Sequence, residues 1–176
     1  MIEYELNEND HLAFQLYLAS HTKRIVAQRV LTIVLAPALW LVFAFLMRCR
    51  LGDSLLVITI VMGVLWLAFY PVRSHFHYRK FYLRHIRENF SKYLNRPTTL
   101  DLVGSCIVSV NDACESKIQV SEVEKVVEIK DLYFVFISKG TAFIVKKSTP
   151  GSKDFILDLC KQANLAPVDE TAWKWI

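Results

Sequence analysis

The side chains able to do chemistry are few and scattered along the chain. Four cysteines, Cys49, Cys106, Cys114 and Cys160, include no CxxC pair, so neither a zinc knuckle nor a redox dithiol is spelled out. His75 and His77 are two apart, which points them away from each other on a helix. No carboxylate or thiol joins them in a recognised ligand spacing, so packing at an interface is expected of them and of His85 rather than a metal. Glu122, Glu124 and Glu128 cluster around Lys125, but no histidine follows residue 97 to partner them in proton transfer. The solvated face of a strand has this pattern. Five glycines, at 52, 63, 104, 140 and 151, cannot assemble a dinucleotide or phosphate loop, and no GxSxG or HExxH occurs. The expectation is a protein that is not an enzyme, with no catalytic residue, no cofactor and no metal. Lys146 and Lys147, at the end of a strand-like run, form the polar feature with a role in ligand or partner contact. The plainer alternative is a solvated strand end.

The elements that must position these residues are dominated by two apolar segments. The 176 residues are 53% hydrophobic with a mean hydropathy of +0.29. That average conceals residues 30–47 and 54–72, neither of which contains a charged side chain. At ~1.5 Å per residue each reaches about 27 Å or slightly more, close to the hydrocarbon thickness of a bilayer. The link 48–53 is so short that the two form a tight antiparallel hairpin. A core helix of a soluble protein would show a polar stripe, and neither segment has one. A signal peptide would not start behind an acidic stretch and be followed at once by a second span. Pro37 reads as a kink within the first span, and Gly63 with Thr59 as a small-residue contact between the pair. No ionisable group lies inside either span, which argues against an ion or proton pathway.

Charge divides the chain in the same way. Residues 1–22 carry four acids and no Lys or Arg; residues 23–96 carry twelve Lys and Arg against Asp53 and Glu88; residues 97–176 carry nine Lys against eleven acids. The basic residues therefore flank the apolar runs instead of decorating the C-terminal domain, which excludes nucleic acid as a partner. Ten of them, including Arg73, Arg79, Lys80, Arg84 and Arg87, lie on the outer flanks of the hairpin, and two, Arg48 and Arg50, lie in its turn. Positive charge favours the cytoplasmic side, so both termini are expected in the cytoplasm. Arg73, Arg79, Lys80, Arg84 and Arg87 are the expected membrane-interface residues. Phe76, Lys80, Leu83, Ile86 and Phe90 are expected along one side of their helix, which Asn95-Arg96-Pro97 ends.

Before the hairpin, Ile2, Tyr4 and Leu6 alternate with Glu3 and Glu5 as a strand does. Asn7–Asp10 then reads as a turn, with Asp10 as the cap of an amphipathic helix that continues into the first span. After it, short alternating runs at 98–103, 106–111, 115–121, 123–130, 132–138 and 141–147 are separated by turn residues. A meander of antiparallel strands is the simplest fit. A helix at 153–163 follows, with Phe155, Ile156, Leu159 and Cys160 on its apolar face. The predicted fold class is α+β: a two-helix transmembrane hairpin, then a small antiparallel β meander or partial barrel closed by a C-terminal helix. The domain boundaries expected are 1–29 for strand and helix, 30–72 for the hairpin, 73–96 for the basic helix, 97–166 for the β domain and 167–176 for a tail.

The order of an acidic start (MIEYELNENDHLAFQLY), a hairpin, a basic exit helix and a meander containing SEVEKVVEIKDLYFVFIS and GTAFIVKKSTPGSKDFILDL resembles the YcxB-like family of bacterial membrane proteins. The resemblance runs over about residues 2–165. It departs from the family where an aromatic residue and a Pro-Lys pair are usual: Val120 and Ser121 stand at the first place and Val145-Lys146-Lys147 at the second. The resemblance implies a C-terminal domain similar to a pleckstrin-homology module, in which Lys146 and Lys147 would meet lipid phosphates, and it implies no reaction. The expected function is a non-enzymatic interaction module at the bacterial inner membrane. Its expected partners are the lipid bilayer and a second protein, with a homo-oligomer as a further expectation. The alternatives are an immunity protein that neutralises a toxin and, third, a small holin-like channel.

Overall fold

The computed structural model describes residues 1–51, 54–91, 94–111 and 115–175, without the side chains of 48–51 and 55. The hairpin turn at Gly52-Asp53, the turn at Asp112, Lys92 and Cys114 lie outside the described residues. Two compact units divide the chain: residues 1–15 with 83–174, and residues 16–82 with 175–176. The β domain, expected to begin at 97 and to stand apart from a segment 1–29, thus includes the first fifteen residues.

In the first unit, β1 (Ile2–Glu5) begins the chain and α1 (Glu8–His21) starts within it. The cap of α1 lies at Asn7, three residues before the expected Asp10. Asn7 Oδ1 accepts from the backbone N–H of Asn9 and Asp10, and Asp10 Oδ2 accepts from the N–H of Asn7 at 2.9 Å. This reciprocal pair satisfies the otherwise orphaned donors of the first turn.

The second unit holds α2 (Lys23–Leu51) and the first part of α3 (Ser54–Phe90). The helix expected to run unbroken into the first span is interrupted at Thr22. The Ser20 hydroxyl donates to Tyr17 O at 2.7 Å, and the Thr22 hydroxyl donates to Leu18 O at 2.7 Å. Thr22 O then accepts the N–H of Ile25 and Val26 at the start of α2. Polar side chains that bond the preceding carbonyls locally offer the backbone an alternative to the helical ladder. The expected separate helix at 73–96 is instead the continuation of α3 through Pro71, and it ends at Phe90 rather than at 95–97. Its less exposed side runs through Ser74, Tyr78, Tyr82, Ile86 and Phe90, whereas Phe76 is exposed and Lys80 lies beside it in solvent. The expected alignment of Phe76 and Lys80 with Ile86 is therefore corrected by about a third of a turn.

Within the hairpin, a Cβ built at Gly63 would stand 3.7 Å from Pro37 Cβ, so the two helices approach where one lacks a side chain and the other carries a proline. Trp40 meets Trp66 edge to face, with centroids 5.5 Å apart, and Trp66 meets Tyr70 at 5.3 Å. Beyond these contacts the apolar side chains point outward: Leu46 is 70% exposed, Phe69 67% and Val64 62%. Only 6% of the most apolar window of either helix is buried within the molecule. A core helix of a soluble domain would be mostly buried, so that alternative fails on the described residues.

The remaining strands complete the first unit: β2 (Pro97–Val103), β3 (Cys106–Asn111), β4 (Glu115–Gln119), β5 (Lys125–Glu128), β6 (Leu132–Ser138) and β7 (Thr141–Lys146). Then come α4 (Ser152–Ala163) and β8 (Val168–Asp169). They form two four-stranded sheets with orders β1-β2-β3-β4 and β7-β6-β5-β8. β1 pairs antiparallel with β2 in the register Ile2↔Leu100. The expected strand at 115–121 ends in a 3₁₀ turn at Val120–Glu122, which carries the chain from one sheet to the other. β8, within the expected tail, pairs parallel with β5 at Val127↔Val168.

Alternation decides which faces are buried. Ile2, Tyr4, Leu100 and Ile107 from the first sheet join Val126, Tyr133, Val135 and Val145 from the second, and Phe155, Ile156, Leu159 and Cys160 of α4 join the same core. β6 is buried from Leu132 to Phe136 without alternation. A strand covered on both faces reads as a continuous apolar run. Its second face carries Phe134, edge-on to Phe14 of α1 at 5.2 Å. Gly151 enters α4 at φ 77°, a left-handed conformation that a glycine adopts without strain.

Candidate functional site

The two lysines expected to meet a ligand are both tied into the first unit. Lys146 Nζ lies 2.9 Å from Asp10 Oδ2, with side chains 23% and 14% exposed. Lys147 Nζ lies 2.6 Å from Glu128 Oε1 and 5.2 Å from the centre of the Tyr133 ring. Lys146 ends β7 and Lys147 opens the turn that follows, and the pair is split between two anchors. Lys146 joins the edge of the second sheet to the start of α1, and Lys147 joins it to β5. Burial, reinforced by Glu128, raises the Tyr133 hydroxyl above its ordinary value, while Lys147 opposes the shift. Each ammonium group is thus paired with one carboxylate of the same unit.

The expected interface residues divide between the units. In the first, Arg87 donates from Nε and Nη2 to both oxygens of Glu8, at 2.9 to 3.2 Å, across a sequence separation of 79. The bidentate bond holds the Glu8 carboxyl below its usual range and raises Arg87. Arg84 pairs with Glu88 one turn away at 2.7 Å. His11 stacks on Phe90 at 5.7 Å, and burial lowers its imidazole below the ordinary value against the opposing charge of Asp10. In the second unit, Arg73, Arg79 and Lys80 are exposed on α3.

The carboxylates around Lys125 do not converge. Glu122 ends the 3₁₀ turn, Glu124 is exposed and Glu128 serves Lys147, while Lys125 Nζ lies 4.6 Å from the Phe136 ring. Cys160 lies in the core, and burial pushes its thiol up, away from the nucleophilic thiolate. Among the described residues no three His, Cys, Asp or Glu side chains come together as metal ligands.

One arrangement in the second unit escaped the sequence reading. Tyr70, Arg73, Ser74, His77 and Tyr78 line a cavity of about 280 Å³ on α3. Beside it the Arg29 guanidinium lies over Tyr78 at 5.7 Å and over Trp175 at 4.8 Å. The spacing 70, 73, 74, 77, 78 is one face of a helix and was legible. The arrival of Arg29 and Trp175 was not, because neither is near α3 in sequence.

Residues 106–159 match the family model described as YcxB-like protein. The resemblance read from the sequence therefore holds over this stretch, which runs from β3 into α4 within the first unit. No curated protein and no solved structure matches the chain.

Proposed function

We propose that this chain is a non-enzymatic interaction module anchored in the bacterial inner membrane by α2 and α3, with the β unit in the cytoplasm. The observation that carries this reading is the exposure of the apolar surface of both helices, of which 6% of the most apolar window is buried. So much unburied apolar surface needs lipid around it. The pairing of β1 with β2 supports the topology independently of charge. The two strands lie on opposite sides of the hairpin in sequence and share one sheet, which supports a chain that crosses the bilayer an even number of times. The ten basic residues on the outer flanks then favour the cytoplasmic side. The similarity of the β unit to a pleckstrin-homology module belongs to the same reading and rests on two antiparallel sheets closed by α4. The pairing of Asp10 with Lys146 and of Glu128 with Lys147 within the β unit is compatible with an interaction role.

Fractionation tests the anchor. The full chain should remain in the membrane pellet through high salt and alkaline carbonate and leave it in detergent; recovery in the carbonate supernatant would sink the reading. Affinity capture of the full chain from detergent-solubilised membranes tests the module. A protein at stoichiometric ratio or a retained lipid is expected, and recovery of the chain with neither overturns it.

A further inference from the structure

We infer that the face of α3 formed by Tyr70, Arg73, Ser74, His77 and Tyr78 is a binding site for a single phosphate group, supplied by an anionic phospholipid headgroup. The inference rests on the reading of α2 and α3 as membrane-spanning, and it adds to that reading one defined lipid site. Four observations converge on it. First, the residues line a cavity of about 280 Å³, at the point where the apolar run of α3 gives way to basic and aromatic side chains. Second, the Ser74 side chain in its wall is 5% exposed, and its hydroxyl has no hydrogen-bond partner. Leaving a buried hydroxyl unmade is costly, and a phosphate oxygen entering the cavity supplies the missing acceptor. Third, Trp175 Nε1 is also buried without an acceptor, next to the Arg29 guanidinium that stacks on Trp175 and Tyr78. A second stranded donor thus sits beside the same wall. Fourth, between Asp10 and Glu88 the sequence has a single carboxylate, Asp53, twenty residues before Arg73, so Arg73 has no acidic neighbour in this stretch of sequence.

The chemistry matches a phosphate better than a carboxylate or a neutral polar group. A guanidinium offers two parallel donors to two phosphate oxygens, and hydroxyl and imidazole groups can reach the others. Basic pockets where helices leave the bilayer on its cytoplasmic side are well suited to anionic headgroups, because the glycerol and acyl parts stay in the layer that the apolar helix already occupies. Tyr70 and Tyr78 bracket the cavity about 12 Å apart along the helix, and tyrosine, with an apolar ring and a polar hydroxyl, suits the layer between acyl chains and headgroups.

Native mass spectrometry of the full chain in detergent tests the site, with short-chain phosphatidylglycerol, phosphatidylcholine and inorganic phosphate as probes. One phosphatidylglycerol should bind in preference to phosphatidylcholine. Arg73→Gln should weaken it at least about tenfold, the loss of one charge-assisted hydrogen bond. Arg79→Gln removes the same charge from a part of α3 outside the cavity and should change binding by less than about twofold. Ser74→Ala, which leaves charge and helix intact, should weaken binding severalfold and guards against a folding defect in the arginine variant. Competition by inorganic phosphate would identify the phosphate alone as the recognised group, and lack of competition would assign recognition to the whole headgroup. Equal loss in Arg73→Gln and Arg79→Gln would mean diffuse attraction and would overturn the site, as would equal binding of the two lipids. Carbonate extraction addresses the anchor separately, so failure of the site and failure of the anchor are distinguishable.

Discussion

At the scale of single residues, the first unit is held by charges that a simple count treats as surface decoration. Asp10 accepts the backbone N–H of the cap residue Asn7 and also receives Lys146, with both side chains largely buried. Removing one partner leaves the other charged and poorly solvated, so Lys146→Met should destabilise the unit by about 2 kcal/mol, and Asp10→Asn on top of it should add less than it does alone. Thermal melts of the two single variants and the double variant in detergent give the coupling directly. Glu8 carries a pH signature. Its folded carboxyl is held low by the hydrogen bonds from Arg87, so its contribution is present above the unfolded value and is lost as the pH falls through the folded one. Melting temperature should fall as the pH drops below roughly 4, and Glu8→Gln should flatten that dependence. An unchanged acid limb in the variant would remove Glu8 from the explanation. The Lys146-Lys147 pair was legible as a strand end, but its partners were not. Asp10 and Glu128 are brought to it by long-range pairing, which no local pattern encodes.

The elements show where local pattern suffices and where it stops. β3 and β6 were readable to the residue, because alternation or a continuous apolar run is bounded by turn residues on both sides. The helical face of Phe155, Ile156, Leu159 and Cys160 was readable for the same reason. The break at Thr22 was hidden because its cause is a set of side-chain bonds to carbonyls, and serine and threonine also sit comfortably inside helices. β8 was hidden because two residues make no period and acquire strand geometry only by pairing with β5. Packing gives two predictions. Phe134 is fully buried against Phe14, so Phe134→Ala should cost about 3–5 kcal/mol in the melting of the unit. At the hairpin, a methyl group at position 63 would make ordinary contact with Pro37, so Gly63→Ala should be tolerated. Gly63→Leu should force α2 and α3 apart and lower the yield of membrane-inserted protein, as read by quantitative blotting of the membrane fraction.

For the whole molecule, the hairpin interrupts a folding unit instead of preceding one. Residues 1–15 and 83–174 form one compact body, and β1 completes its first sheet. A fragment 97–176 therefore lacks an edge strand, the Phe14 cover of Phe134 and the Asp10 partner of Lys146. It should give poorly dispersed amide spectra, whereas the full chain in detergent should melt cooperatively. Sequence patterns suggested β1 as a strand and even its facing residues. They could not assign its partner, since the match lies beyond two apolar spans. The same pairing makes topology the central claim, because one sheet cannot be assembled from opposite sides of a bilayer. Reporter fusions test it most directly: a fluorescent protein, which matures only in the cytoplasm, fused in turn to the N-terminus and to the C-terminus, and an alkaline phosphatase, active only outside it, fused after Ser54. Fluorescence from both terminal fusions together with phosphatase activity from the fusion at Ser54 is the predicted result; one dark terminus, or an inactive phosphatase at Ser54, would contradict it.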